Sequence, residues 1–352
     1  MSHRSRGVIG AILTVLLLWW VLRDVSPADV LTELRRANAW WMLLAVALAT
    51  FSFVLRAMRW QVLLEPGQAG ASFEARFGAT CAGFAANNIF PARLGELVRA
   101  YTLARVARLP FGASVGSLVV ERVLDGLVLA SFLGGAILMP GFPLGETEAA
   151  GYVHRAALIG SLAFAVGFVV LWLMARRPDG VQQLWWATLG RLIPRRFTGR
   201  LSDLIETFLE GLGALASVSV LARAVAWSYV VWGCLAASMW TGLLAFDVTG
   251  PGFVGAAFLQ SVIGFAVALP STPGFFGLFE AGTRIGLEPW DVPDALVVSF
   301  ATSYHILTFI PITLLGLWYL RHFGLRFSDV RERSGPRDGQ GVETVAARPE
   351  AP

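Results

Sequence analysis

The sequence predicts an all-α polytopic integral membrane protein, with about six spanning helices plus two opposed re-entrant hairpins in an inverted repeat. Three observations predict this class. The 352 residues are 56% hydrophobic and 15% charged, whereas soluble domains carry about 25% charged residues. Apolar stretches of about 20 residues, the length that crosses a bilayer, recur along the chain. Two further apolar stretches are interrupted in matching ways by Pro, Gly and Glu.

Six apolar segments are long enough to form the spanning helices. They lie near residues 7–22, 38–64, 111–139, 155–175, 221–246 and 295–320. The first follows Arg4 and Arg6 and could pass for a signal peptide, but it lacks a small-residue cleavage site and is expected to remain as an anchor. The interrupted segments, 77–108 and 253–285, lie between the others.

This organisation divides the chain into a membrane domain and a tail. Residues 1–322 are expected to form the membrane domain, with repeat units at 38–139 and 221–320 and a cytoplasmic linker at 176–218. Residues 323–352 are polar and rich in Gly and Pro, so a disordered cytoplasmic tail is expected there. We expect no soluble catalytic domain in either part.

The placement of arginine orients the chain, because all 28 basic residues are Arg and cytoplasmic loops are enriched in Lys and Arg. Residues 176–200 hold six arginines and give the strongest cytoplasmic signal. Arg56, Arg59 and Arg76 follow the second helix and are assigned to the same side. Both termini are therefore expected in the cytoplasm, at a cell inner membrane, and the interrupted segments enter from opposite sides. The alternative is that each interrupted segment crosses the membrane as a kinked helix.

The two interruptions are the clearest pointer to a site. Residues 87–99 read Asn-Asn-Ile-Phe-Pro-Ala-Arg-Leu-Gly-Glu-Leu-Val-Arg, and residues 269–280 read Leu-Pro-Ser-Thr-Pro-Gly-Phe-Phe-Gly-Leu-Phe-Glu. Proline ends a helix, and a freed backbone at membrane depth is tolerated only inside protein or beside water. Paired interruptions in the two halves of a transporter mark its substrate site. The breaks are assigned to Asn88, Pro91, Gly95, Pro270, Pro273, Gly274 and Gly277.

Charged residues within apolar segments are candidate substrate-binding residues, because charge at membrane depth costs about 2.5–3.5 kcal/mol and needs a partner or water. The first group, Arg93, Glu96 and Arg99, has a spacing of three residues and shares one helical face. Its two arginines could hold a lipid phosphate by bidentate hydrogen bonds, with Glu96 orienting them or pairing with an ammonium headgroup. The alternative is an interfacial helix whose arginines reach the headgroups.

Two further groups complete the candidate set. Glu121 and Asp125 share a helical face, with Arg122 to one side, and need a cation that Arg93 or Arg99 could supply. The alternative is an ion-pair network that makes no substrate contact. In the second hairpin, Glu280 is the counterpart of Glu96, and desolvation favours its neutral carboxyl, so it could carry a proton. A structural pair between Glu280 and Arg284 is the other interpretation, while His305 is expected to be a hydrogen-bonded core residue.

Four stretches together resemble the flippase-like membrane domain of the lysylphosphatidylglycerol synthase family. They are residues 56–60 (Arg-Ala-Met-Arg-Trp), 88–101, 121–125 (Glu-Arg-Val-Leu-Asp) and 270–280. The resemblance covers residues 7–322 and implies movement of phospholipids or related lipid-linked substrates between leaflets. This chain departs from the pattern at Phe275, where a second Gly is usual, and at His305, where similar sequences often have Arg. It also lacks the synthase domain, so no aminoacyl transfer is expected.

Other chemistry finds little support in the sequence. Cys81 and Cys234 imply neither a disulfide framework nor a zinc site, and no catalytic constellation, metal site or cofactor motif is visible. No nucleic-acid partner is expected, because the arginines lie at membrane boundaries. The partners implied are membrane lipids with an anionic or phosphate-bearing headgroup, together with a possible separate lipid-modifying enzyme. The function predicted is a lipid flippase or scramblase; the alternatives are an intramembrane enzyme on a lipid-linked substrate or an accessory subunit of a synthase or glycosyltransferase.

Overall fold

The structure is a computed structural model that describes residue 19 and residues 26–64, 70–90, 94–143, 148–188, 195–268 and 273–325. Within these ranges all regular structure is helical. The α-helices are α1 (Pro27–Arg36), α2 (Ala39–Leu64), α3 (Phe73–Ile89), α4 (Gly95–Val106), α5 (Phe111–Ile137), α6 (Glu148–Arg176), α7 (Pro178–Thr188), α8 (Arg195–Gly211), α9 (Val218–Ala245), α10 (Gly252–Ala266), α11 (Leu278–Leu287) and α12 (Asp294–His322). Short 3-10 turns lie at Gly213–Leu215, Pro273–Phe275 and Glu288–Trp290.

Four of the described helices are long and apolar enough to cross a membrane: α2, residues 158–176 of α6, α9 and α12. They agree with four of the six predicted spans. Helix α5 has 27 residues and the predicted position, but it carries Glu121, Arg122 and Asp125 near its middle. The segment predicted at 7–22 and the tail from residue 326 lie outside the described residues.

Three described helices lie outside the predicted spans and interrupted segments: α1, and α7 and α8 within the predicted linker 176–218. Helix α1 begins with Pro27, which suits a first helical turn, and its acidic and basic residues lie at the ends that the helix dipole favours. It packs against α12, where the Ser299 hydroxyl donates to the Val30 carbonyl. Helix α8 packs against α5. Both have polar residues along one face, so their apolar content is too low to stand out in a search for spans.

The centre of the fold is an antiparallel pair formed by α2 and α9. The Ser238 hydroxyl donates to the Ala45 carbonyl at 2.7 Å, and the Cys234 thiol donates to the Leu48 carbonyl at 3.4 Å. At the end of the pair, the backbone N–H of Asn38 donates to the backbone carbonyl of Ala245. Small side chains at these positions let the two helices approach closely.

Each interrupted segment doubles back as a pair of helices. The first pair is α3 and α4, where the Asn87 side-chain oxygen accepts the Gly95 amide at 2.8 Å and Gly95 lies against the Gly83 backbone. The second pair is α10 and α11, where Gly282 lies against Ile263 and Gly286 against Leu259. Glycine is needed at Gly95 because the Gly83 carbonyl oxygen occupies the space of a Cβ atom, and at Gly282 the neighbouring helix leaves little room for one.

Each of these helix pairs packs against the last helix of the other half of the chain. Helix α3 lies antiparallel to α12, with Gly316 against the Cys81 backbone, and α10 lies antiparallel to α5, with Gly264 against Leu129. Within each half, α2 packs on α3 and α4 on α5, as α9 packs on α10 and α11 on α12. The helix contacts made by α2, α3, α4 and α5 therefore recur, in the same order, in α9, α10, α11 and α12.

Candidate functional site

Seven charged side chains from three helices meet beside the first helix pair and form what we call the charge cluster. Helix α2 contributes Arg56 and Arg59, helix α4 contributes Glu96 and Arg99, and helix α5 contributes Glu121, Arg122 and Asp125. Glu121 and Asp125 share one face of α5, as the sequence predicts, and both carboxylates contact Arg59 of α2.

Glu121 is the most deeply held member of the charge cluster. Its two oxygens accept hydrogen bonds from Arg99 Nη1 and Nη2 at 2.5 and 3.0 Å. Arg59 Nη2 lies 3.1 Å from Oε1, and Arg122 Nη2 lies 2.5 Å from the same oxygen. The Arg99 guanidinium also stacks on the Trp60 ring at 4.1 Å. Glu121, Arg59 and Arg99 are almost wholly shielded from solvent, so these bonds form in a low-dielectric setting that strengthens them.

Asp125 lies one turn further along α5 and joins the charge cluster to α9. Its Oδ1 accepts from Arg59 Nη1 at 2.5 Å and from the Trp232 indole at 2.8 Å. Its Oδ2 lies 3.3 Å from Arg122 Nη2. Arg59 also donates to the Ser228 hydroxyl at 3.0 Å. Two residues of α9 therefore help to hold an ion-pair network between α2 and α5.

Positive charge is in excess within the charge cluster, which has four guanidinium groups and three carboxylates. The excess falls on Arg56, which lies 3.8 Å from Asp125 Oδ2 and between the rings of Phe84 and Trp232. Its Nε and Nη1 have no hydrogen-bond partner among the described residues, although only 5% of Arg56 is exposed. A buried guanidinium that lacks acceptors can take an anionic group that supplies them.

Arg122 and Glu96 form the exposed edge of the charge cluster. About a third of each side chain is exposed, 35% and 33%, and their ion pair is long at 3.7 Å. Arg122 Nε and Glu96 Oε2 have no hydrogen-bond partner in the described part of the chain. Arg122 is therefore the most exposed arginine of the charge cluster, and it shares Asp125 Oδ2 with the buried Arg56.

The predicted site residues divide into three sets. Glu96, Arg99, Glu121, Arg122 and Asp125 come together. Arg99 supplies the cation for Glu121, whereas Asp125 is paired with Arg59 and Arg122. Glu280 and Arg284 lie in the second helix pair. Arg93, Pro91 and Pro270 lie outside the described residues.

Arg56 and Arg59 belong to the site, although from the sequence they served as a boundary signal and as part of one family-like stretch and were not predicted to be site residues. We predicted that they and Arg76 follow the second helix, but Arg56 and Arg59 lie within α2 and Arg76 within α3, and all three are buried, at 5% exposure or less. Arg76 donates to the backbone carbonyls of Ala57 and Ala71 and ties α3 to α2. The signal that could have revealed the two cluster arginines is their spacing of three residues within an apolar helix, where a charge needs a partner.

The second chain break is held by Glu280 and His305 rather than by Glu280 and Arg284. Glu280 Oε1 lies 2.8 Å from His305 Nδ1, and Oε2 accepts the Gly277 amide at 2.6 Å. Arg284 pairs with Asp294 at 2.9 Å. His305 is thus a hydrogen-bonded core residue, as predicted. It also contacts the backbone of the break, because its Nε2 lies 2.8 Å from the Gly274 carbonyl.

The remaining break residues have backbone roles. Gly274 and Gly277 have φ values of +68° and +86°, and Phe275 between them has +62°. Phe275 therefore adopts a left-handed conformation that favours glycine, at a cost of about 1–2 kcal/mol. In the first break, Asn88 donates to the Thr313 hydroxyl at 2.7 Å and so links α3 to α12. Among the described residues, no group of three His, Cys, Asp or Glu side chains could hold a metal ion.

The helices and the charge cluster define a multi-pass membrane protein with an ionic centre inside its helix bundle. The chain belongs to the lysylphosphatidylglycerol synthase TM region family, whose pattern it matches over residues 7–316. This confirms the resemblance that the four sequence stretches carry. No solved structure matches the chain.

Three relatives are similar to this chain over about half of its length or more. A protein named glycosyltransferase AglD from Haloferax volcanii is 28% identical over 80% of this chain and 48% of its own length. A UPF0104 membrane protein of Methanocaldococcus jannaschii is 25% identical over 49% of this chain and 51% of its own. A UPF0104 membrane protein of Methanothermobacter thermautotrophicus is 22% identical over 94% and 98%. The chain spans about half the length of the first two relatives.

Proposed function

We propose that this protein moves a phosphate-bearing lipid between the leaflets of a cell inner membrane, as a flippase or scramblase. The lipid is a phospholipid or a polyprenyl-linked lipid, whose headgroup passes the charge cluster while its acyl or prenyl chains stay in the bilayer. The observation that carries this proposal is the excess of buried positive charge at Arg56. A phosphate offers several acceptor oxygens and a negative charge, which are what the Arg56 guanidinium lacks.

The edge of the charge cluster supports the same headgroup chemistry. Arg122 is partly exposed and only loosely paired with Glu96, and its Nε has no hydrogen-bond partner among the described residues, so it can meet a phosphate while its Nη2 stays bonded to Glu121. Arg99 is less suited to this role than the sequence suggested, because Glu121 already occupies both of its terminal nitrogens. Arg93 remains a proposed phosphate ligand on sequence grounds.

The helix contacts support the proposed inverted repeat with two re-entrant hairpins. The contact pattern of α2–α5 recurs in α9–α12, and the central pair α2 and α9 is antiparallel. Helix α3 also packs on the turn Pro273–Phe275, so the first hairpin touches the break in the second. Meeting breaks between inverted repeats are the arrangement that transporters use for substrate sites. The proposed orientation, with both termini cytoplasmic, rests on Arg4, Arg6 and the arginines of residues 176–200.

Liposome reconstitution tests the proposal directly. The purified protein is inserted into vesicles that contain fluorescent anionic, zwitterionic or polyprenyl phosphate lipids, and the fraction of probe accessible to an external quencher is followed over time. We expect the wild type to equilibrate at least one phosphate-bearing lipid. Arg56→Met, which keeps the side-chain volume but removes the charge, should slow this at least ten-fold. Arg36→Met, at an exposed arginine of α1, is the matched control and should not change the rate.

The two variants must be compared at equal folded amounts, measured by thermal unfolding in detergent. If Arg56→Met transports a phosphate lipid at the wild-type rate, the headgroup role of Arg56 is contradicted. Absence of any lipid movement by the wild type would instead favour the second candidate function.

That second candidate is an accessory or catalytic membrane domain for a lipid-linked glycosyl transfer. The observation that favours it is the similarity to a protein named as a glycosyltransferase, of which this chain matches about half. In this case the charge cluster would bind the lipid phosphate for a separate enzyme. Binding of the lipid to the purified protein, lost in Arg56→Met, without movement between leaflets is the result that separates it from transport.

A further inference from the structure

We propose that Glu280 and His305 form a proton-binding site that locks the second chain break, and that loss of the proton releases the break. The site lies apart from the charge cluster, between α11, α12 and the turn Pro273–Phe275. It binds one exchangeable proton and no other ligand.

A closed ring of hydrogen bonds joins the break to α12. The Gly277 amide donates to Glu280 Oε2, Glu280 Oε1 faces His305 Nδ1, and His305 Nε2 faces the Gly274 carbonyl. Both sides of the break, Gly274 and Gly277, are therefore fixed through the same two side chains. These side chains are buried, with 4% of Glu280 and 7% of His305 exposed.

The ring of hydrogen bonds is complete only when it holds one exchangeable proton. The Gly274 carbonyl can only accept, so His305 Nε2 must carry a hydrogen. The 2.8 Å contact between His305 Nδ1 and Glu280 Oε1 then needs one more hydrogen, held by either atom. When that proton leaves, a lone pair on Nδ1 faces a carboxylate oxygen. Moving the remaining ring hydrogen to Nδ1 restores this contact but places a lone pair against the Gly274 carbonyl. The deprotonated ring can therefore keep only one of the two His305 bonds.

The break needs such a lock because its backbone conformation is unfavourable. Three of its residues, Gly274, Phe275 and Gly277, have positive φ values, and Phe275 is not glycine. Strained backbone persists only where surrounding contacts fix it. Losing one of the two anchoring bonds therefore allows the break to rearrange.

The residues around the Glu280–His305 pair are apolar or already hydrogen-bonded to other groups. The Phe276 and Phe279 rings lie 4.6 and 4.3 Å from the imidazole and Phe309 borders it, so water is kept away. On α11 and α12, Arg284 is paired with Asp294, and the Tyr304 hydroxyl is bonded to Ser238 of α9. Helix α10 has no charged residue, and the charged residues of α3, Glu74 and Arg76, lie toward its other end.

The consequence for lipid movement rests on the proposed function. If the second hairpin lines the lipid path, each release of the proton opens the break and each uptake closes it. Transport would then depend on pH and on the proton gradient. The lock itself is independent of lipid movement and is tested without a transport assay.

Hydrogen–deuterium exchange of the purified protein in nanodiscs, read by mass spectrometry over residues 273–280, is the test. Glu280→Gln is the reference, because its amide oxygen accepts the Gly277 amide while its NH2 donates to neutral His305 at every pH. The ratio of wild-type to reference exchange removes the intrinsic pH dependence. We expect a ratio near one at about pH 5.5 and a rise of about ten- to hundred-fold by about pH 8.5, the effect of losing one buried hydrogen bond to a charged group.

Two further variants complete the test. His305→Ala, which cannot form the ring, should exchange rapidly at both pH values. Glu288→Gln, at an exposed carboxylate near the same helix, should follow the wild type. A ratio that stays constant from low to high pH, or slow exchange in His305→Ala, overturns the lock. Either result leaves the proposed transport of lipid untouched, because no lipid movement is measured.

Discussion

Arg99 donates both terminal guanidinium nitrogens to the two carboxylate oxygens of Glu121, at 2.5 and 3.0 Å, where neither side chain is more than 1% exposed. This pair fixes α4, the second helix of the first hairpin, to the middle of α5. Both charges are fully desolvated. Removing one partner therefore costs more free energy than the attraction between them contributes, because the other charge is left buried and unpaired.

Glu121→Gln should therefore destabilise the protein by about 3–5 kcal/mol, since Arg59, Arg99 and Arg122 would lose their shared carboxylate. Thermal unfolding in detergent, followed by circular dichroism, measures this. Glu33→Gln at the exposed pair with Arg36 is the control and should change stability by less than about 1 kcal/mol. Equal effects of the two substitutions would contradict the structural role of Glu121.

Arg99→Lys tests the same pair from the other side. Lysine keeps the charge but cannot make two parallel bonds to a carboxylate. We expect stability and lipid transport to fall together, because Arg99 holds Glu121. A loss of transport at unchanged melting temperature would assign Arg99 to the headgroup, as the sequence analysis first suggested.

Gly95→Ala should disrupt the first hairpin. A Cβ atom on Gly95 would overlap the Gly83 carbonyl oxygen and the Asn87 side chain, neither of which can move without shifting α3. Gly134→Ala in α5 is the matched control, because nothing lies within 4 Å of the added atom. We expect a large fall in melting temperature for Gly95→Ala and a neutral or slightly stabilising effect for Gly134→Ala, by up to about 1 kcal/mol.

Trp232→Phe should weaken the contact between α9 and α5. The substitution keeps an aromatic ring beside Arg56 but removes the indole donor to Asp125, at a cost of about 1.5–3 kcal/mol for a bond to a charged group. Trp318→Phe, at a tryptophan that is 54% exposed, provides the comparison. If the chemical denaturation curves of the two variants coincide, the indole hydrogen bond contributes nothing to the stability of the protein.

Membrane sidedness is tested by cysteine labelling. In a background with Cys81→Ala and Cys234→Ser, single cysteines at Leu94 and Phe275 report on the two breaks. The inverted-repeat proposal expects Leu94→Cys to react with an impermeant reagent from the cytoplasmic side and Phe275→Cys from the outer side. Reaction of both from one side would remove the opposed hairpins and favour kinked spans.

The sequence was sufficient for the helices that have one clear apolar signal. Helices α2, α9 and α12 lie within three residues of their predicted bounds, because length and hydropathy alone determine them. Helices α1 and α8 were missed because their apolar residues occupy one face only. Such faces are recognised when the tertiary surface that covers them is known.

The charge cluster could be predicted only in part. The i, i+4 spacing of Glu121 and Asp125 required a cation, and Arg99 provides one. The contribution of Arg59 depends on how α2 packs against α5, across 66 residues of chain, which local spacing does not encode. In the same way, Arg284 is the nearest cation to Glu280 in sequence, but α12 brings His305 closer in space.

The crossed packing of α3 on α12 and of α10 on α5 makes the two halves mutually dependent. Each hairpin finds its supporting surface on the other half, so neither half can complete its own core when separated. The two halves therefore contact each other through equivalent surfaces, as the two subunits of an isologous dimer do, although both belong to one polypeptide. A substitution at either crossed interface, such as one at Gly316 or Gly264, therefore weakens the association of the halves as well as the hairpin that it touches.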